Sequence, residues 1–168
     1  MNLSSLVATW AVKYDVESAL EHVNGQEPSA CDALATRGVR VTTCRDGERV
    51  PDVQADLVVV HGAAPGLPAW REWLVEASKR ASKLVIVAAP DPERSPHARL
   101  RRILNRALGL PGETPSWGAT SALAPVLWEI GRVREHEPIQ GDAHAFVVDV
   151  TPRTPQARRR LRVAGTTG

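Results

Sequence analysis

Leu57 to His61, LVVVH, is a continuous apolar run closed by Gly62. A strand that is apolar at successive positions, not alternate ones, is buried on both faces. Lys83 to Pro90, KLVIVAAP, has the same character and is the clearest strand in the chain. Two such strands call for a sheet covered by helices on both sides, which is an α/β architecture. Helical spacing places Leu6, Val7, Trp10, Ala11 and Tyr14 on one stripe between Ser4 and Asp15, and Trp70, Trp73, Leu74, Ala77 and Ala81 on another. Pro96 to Leu110 reads as a further helix, and a shorter one runs from Thr120 to a terminator at Gly131, with Pro125 near its first turn. Val133 to Ile139 and Ala143 to Val150 are strands joined only across Gln140, Gly141 and Asp142, a connection tight enough to demand an antiparallel pair.

At 168 residues the chain suits one domain, assigned to residues 1–150, followed by a basic, disordered tail over 151–168. The net charge of +2 hides this division: from Thr151 onward there are five arginines and no acid, so the domain itself carries −3. No apolar run is long enough to span a membrane and the N-terminus lacks a basic leader region, so the expectation is a cytoplasmic protein without membrane attachment. The two cysteines, Cys31 and Cys44, have neither a CxxC nor a Cys/His ligand spacing and read as buried thiols, with no metal site.

Ser18 to Asp46 reads as strand, loop, short helix, strand. An apolar run around Leu20 meets a loop with Gly25 and Pro28, a helix over Ser29 to Arg37 is closed by Gly38, and Val39, Val41 and Thr43 follow at period two. This is the first half of a Rossmann-like unit, in which the loop after the first strand delivers a ligand to the next helix. The stretch resembles class I S-adenosylmethionine-dependent methyltransferases, whose first loop reads Glu/Asp-x-Gly-x-Gly-x-Gly. Here the frame is Glu21, Val23, Gly25 and Glu27, which keeps the acid and the middle glycine. The likeness extends through LVVVH, similar to the family's fourth strand, and KLVIVAAP followed by Asp91, similar to the fifth, to the closing hairpin. It implies a reduced Rossmann-like methyltransferase fold: a mainly parallel sheet, helices on both faces and a C-terminal antiparallel hairpin.

One connection departs from the family. Arg45 to Ala55 cannot hold a helix and a parallel strand, which together need about a dozen residues or more. Either the third strand is gone or the chain passes over in a loop, and the second strand becomes a sheet edge.

The resemblance also implies where a cofactor would sit. In active members the glycine loop lets it approach the backbone and an acid ending the second strand bonds both ribose hydroxyls. Val23 places a Cβ in the first of these, Glu27 adds charge, and Arg45 stands where the acid should, with Asp46 one residue beyond. If the site is active, Glu21, Gly25, Asp46 and His61 hold S-adenosylmethionine. His61, ending a strand near the switch point, is the candidate general base. No nucleophile elbow or P-loop supplies an alternative.

The expectation is a degenerate, non-catalytic methyltransferase-like protein that needs no cofactor and works as a binding or assembly subunit, with a protein partner or a second copy on the exposed edge. Two alternatives stand beside it: an active methyltransferase on a small molecule, and an RNA-associated protein using Arg99, Arg102, Arg158, Arg159 and Arg160.

Overall fold

A computed structural model describes residues 1–23, 29–45, 48–61, 70–90, 118–140 and 143–151. The elements in chain order are α1 (Leu3–Lys13), β1 (Ser18–Val23), α2 (Asp32–Ala35), β2 (Arg40–Arg45), β3 (Ala55–Val60), α3 (Trp70–Ser78), β4 (Ala81–Pro90), α4 (Gly118–Ile130), β5 (Arg132–Ile139) and β6 (Ala143–Asp149). Six strands among the described residues form one sheet in the order β2-β1-β3-β4-β6-β5. β2, β1, β3 and β4 are mutually parallel, and β6 runs antiparallel to both β4 and β5. This is the reduced, mainly parallel sheet with a closing antiparallel pair that the strand patterns require.

The apolar run of β3 explains the two-sided core. Val58 and Val60 pack with Leu20, Leu74, Val85, Val87, Leu123 and Leu127 on the face covered by α3 and α4. Leu57 and Val59 turn the other way, toward Leu6, Val7, Trp10, Leu34, Leu84 and Ile86 under α1 and α2. Each of these side chains contributes about 1.5–3 kcal/mol when fully buried, so the central strands fix which residues lie inward on both layers. Both cysteines are buried free thiols, as their spacing indicates.

α1 starts where Asn2 Oδ1 accepts the Ser5 N–H at 2.7 Å. Its stripe buries Leu6, Val7, Trp10 and Ala11, while Tyr14 is only half-buried, its ring 5.6 Å from that of Trp10 and its hydroxyl 3.1 Å from Asp149 Oδ2. Asp149 also accepts the Thr151 N–H at 2.9 Å and pairs with Arg134. Burial alone pushes the Asp149 carboxyl up, but the hydrogen bonds from Thr151, Arg134 and Tyr14 outweigh it and bring the pKa from 3.8 to about 2. A carboxyl whose pKa is lower folded than unfolded contributes its stability above the ordinary value and loses it as the pH falls through the folded one. Asp149→Asn should therefore flatten the fall in stability between the ordinary carboxylate range and the folded value, measured by urea unfolding at successive pH.

Two elements differ in extent from the sequence pattern. The helix expected over Ser29 to Arg37 is a single turn, α2, because Arg37 and Gly38 donate to the carbonyls three residues back, Leu34 and Ala35, and wind the chain tightly. Gly38 then leaves at φ +84°, the left-handed exit expected of it. α4 begins at Gly118, so Pro125 lies in the second turn and not in the first; burial of Leu123, Val126 and Leu127 on either side of it holds the helix through the lost hydrogen bond.

Past α4, Gly131 is required by space. A Cβ there would lie 2.5 Å from the Asp149 carbonyl oxygen and 2.9 Å from Val148 Cγ1. Gly131→Ala should cost about 1–3 kcal/mol by overpacking, read as a lower urea midpoint at unchanged slope.

The chain passes from β2 to β3 without a helix. Among the described residues, 48–54 hold no regular element, and Val50 is buried against the α3/α4 face with Leu20, Cys44 and Leu74. Residues 46–54 span at most about 30 Å when extended, enough to recross the sheet and nothing more. As a result β2 pairs only with β1 among the described residues, and the sheet ends there. No described helix is long and apolar enough to cross a membrane.

Candidate functional site

β1 lies between β2 and β3, so the chain leaves it on one side and returns on the other. The carboxyl ends of β1 and β3 form the crevice where sheets of this kind bind ligands. Glu21 of β1 and His61, directly after β3, meet there: His61 Nε2 is 2.7 Å from Glu21 Oε1. The ladder sets the meeting, because the His61 N–H donates to the His22 carbonyl at 3.1 Å and places its side chain beside Glu21.

The Glu21 carboxylate is completely buried, yet three donors serve it. Besides His61, the Ala30 N–H lies 2.6 Å from Oε1 and the Ser29 hydroxyl donates to Oε2. Ser29 Oγ in turn accepts the Cys31 N–H at 3.1 Å. The start of the α2 turn is thus tied onto the end of β1. Burial pushes the Glu21 carboxyl up, but the bonds from His61, Ser29 and Ala30 overcome it and hold the group below its ordinary value. An ionised carboxylate only accepts, so the His61 Nε2 carries the proton in this pair. Burial and the Glu21 charge push the Cys31 thiol far up, and burial with Glu48 pushes Cys44 up to about 11, so neither is a nucleophile at neutral pH.

Above this pair, between the ends of β1 and β2, is a cleft of about 340 Å³ lined by Val23, Ser29, Asp32, Thr43, Arg45 and Glu48. Arg45 is exposed, and its backbone N–H is capped at 2.7 Å by Glu48 Oε2. Close by, the half-buried His22 ring lies 4.2 Å from that of Trp73.

Of the residues singled out from sequence, Glu21 and His61 come together and Val23 and Arg45 line the cleft beside them. Gly25, Glu27 and Asp46 lie outside the described residues, as do Arg99, Arg102, Arg158, Arg159, Arg160 and the tail. Ser29 and Glu48 were not singled out. A serine opening a helix after the first strand is a usable signal for the first. Glu48 had none, since its role depends on the chain turning back at Arg45. Among the described residues no group of three or more His, Cys, Asp or Glu gathers as a metal site.

The sequence matches no protein-family model and no curated protein. Solved structures resemble it in fold. An O-methyltransferase family protein from Burkholderia thailandensis superposes with a TM-score of 0.53 at 10% identity, over 90% of this chain and 56% of that one. Magnesium protoporphyrin IX methyltransferase from Synechocystis PCC 6803, solved with bound SAH, gives 0.53 at 11% identity, over 87% and 81%. A SAM-dependent methyltransferase from Aquifex aeolicus gives 0.52 at 10% identity, over 89% of each chain. Identities this low speak for the architecture alone, and with the strand order and the closing antiparallel pair they establish that the chain has a reduced class I methyltransferase-like fold.

Proposed function

We propose that this chain is a non-catalytic relative of the methyltransferases and works as a binding or assembly subunit. The observation that carries the reading is the end of β2. Where the resemblance calls for an acid to hold a ribose, the cleft presents the exposed cation Arg45, and the neighbouring Glu48 carboxylate is occupied with the Arg45 backbone. Glu21 is spent in the same way, with both oxygens engaged by its own loop and by His61. On this reading the site is satisfied internally, and among the described residues no strand pairs with the outer edge of β2, which is where a partner would bind.

The second reading, an active S-adenosylmethionine-dependent methyltransferase on a small molecule, is favoured by one observation: Glu48 still lines the cleft and could turn from Arg45 to a ribose. SAH in the Synechocystis structure makes that cofactor the one to test. Incubating the protein with methyl-labelled S-adenosylmethionine and size-fractionated cell extract separates the two readings. The expected result is no incorporation above the buffer level. Incorporation that disappears in His61→Ala would overturn the proposal.

A further inference from the structure

We infer that the outer edge of β2 receives an extended, acidic segment of another protein as a seventh strand, with Glu48 as a removable stand-in for it; this rests on the binding role proposed above and gives it a place. The phase of the ladder decides which groups are available. The Arg40 N–H donates to the Glu17 carbonyl at 3.0 Å, and Ser18 of β1 stands opposite Arg40. Backbone groups alternate sides along a strand, so Arg40, Thr42 and Cys44 bond toward β1 while Val41, Thr43 and Arg45 turn outward. Glu48 Oε2 on the Arg45 N–H agrees with this phase, a side-chain carboxylate occupying the position of a neighbouring strand's carbonyl. Among the described residues nothing occupies the corresponding groups of Val41 and Thr43.

Charge selects the occupant. Arg40 and Arg45 on β2, and Arg37 in the turn that leads into it, are exposed, against Asp32 and Glu48. A second copy would bring the same arginines, and the chain's own residues from Thr151 onward carry five arginines and no acid. Both self-occupants are disfavoured by like charge, and an acidic strand is favoured. Adding a strand to an exposed edge supplies main-chain hydrogen bonds for affinity, and flanking charges supply selectivity.

The probe is the blocked hexapeptide EVTVTE, with KVTVTK as its charge-reversed counterpart, titrated into the full-length protein and followed by amide exchange. EVTVTE should slow exchange at Val41 and Thr43 by about tenfold or more, and KVTVTK should bind about tenfold more weakly. Val41→Pro removes an outward donor without touching the bonds to β1 and should reduce binding by about tenfold. Glu48→Ala frees the Arg45 N–H and should strengthen binding severalfold. The Glu48 variant keeps the test decisive should the proline variant fail to fold. The inference is overturned by unchanged exchange at Val41 and Thr43, by equal binding of the two peptides, or by unaltered affinity in Glu48→Ala. Protection of the same amides through self-association, seen by sedimentation, would also overturn it. Methyl transfer by a protein that still takes EVTVTE on this edge would refute the non-catalytic reading and leave the edge assignment standing.

Discussion

Replacing Glu21 by alanine should lower the unfolding free energy by about 3–5 kcal/mol, the cost of breaking a buried ion pair by removing one partner. The size follows from what remains. With the carboxylate fully buried, the Ser29 hydroxyl, the Ala30 N–H and the His61 Nε2 would each lose the acceptor that it provides. Glu21→Gln keeps the volume and one acceptor oxygen and should cost less, about 1–3 kcal/mol. Urea unfolding gives the totals, and amide exchange at Ala30 and Cys31 shows whether the loss begins where α2 is tied to β1. The pH dependence has a definite sign. Glu21 is held below its ordinary value, so its contribution is complete above the ordinary carboxylate range and declines as the pH falls through the folded value. A change under about 1 kcal/mol in Glu21→Ala would mean that the carboxylate does not organise the loop.

The architecture was legible where burial leaves no choice. β3 and β4 are apolar at successive positions because both faces are covered, and the β5–β6 pair follows from a connection too short for anything but an antiparallel turn. The edge at β2 could be read from the length between Arg45 and Ala55. That the chain crosses there as a loop with Val50 pinned to the core could not, since one valine among polar residues has no period. The site was half legible. Glu21 and His61 each stood out by position, but their pairing joins residues 40 apart in sequence and depends on β3 returning beside β1. Ser29 and Glu48 act by closing local backbone, the Cys31 N–H onto Ser29 and the Arg45 N–H onto Glu48, and such roles depend on turns that local propensity does not determine.

The remaining large effect concerns the cofactor. A micromolar site is worth about 8 kcal/mol of binding free energy, and each hydrogen bond to a charged group about 1.5–3 kcal/mol. On the proposed reading, Arg45 at the position where the resemblance calls for a ribose-binding acid forfeits a large share, and the Val23 side chain lining the cleft acts in the same direction by bulk. The expected sum is a dissociation constant about a thousandfold weaker, in the millimolar range, or roughly 4 kcal/mol. Arg45→Asp restores a carboxylate at that position and should recover about tenfold or more. Calorimetric titration of the full chain with S-adenosylhomocysteine tests the non-catalytic reading most directly. It predicts no saturation below about the millimolar range, with measurable tightening in Arg45→Asp; saturable binding by the unaltered chain at micromolar concentration would contradict it.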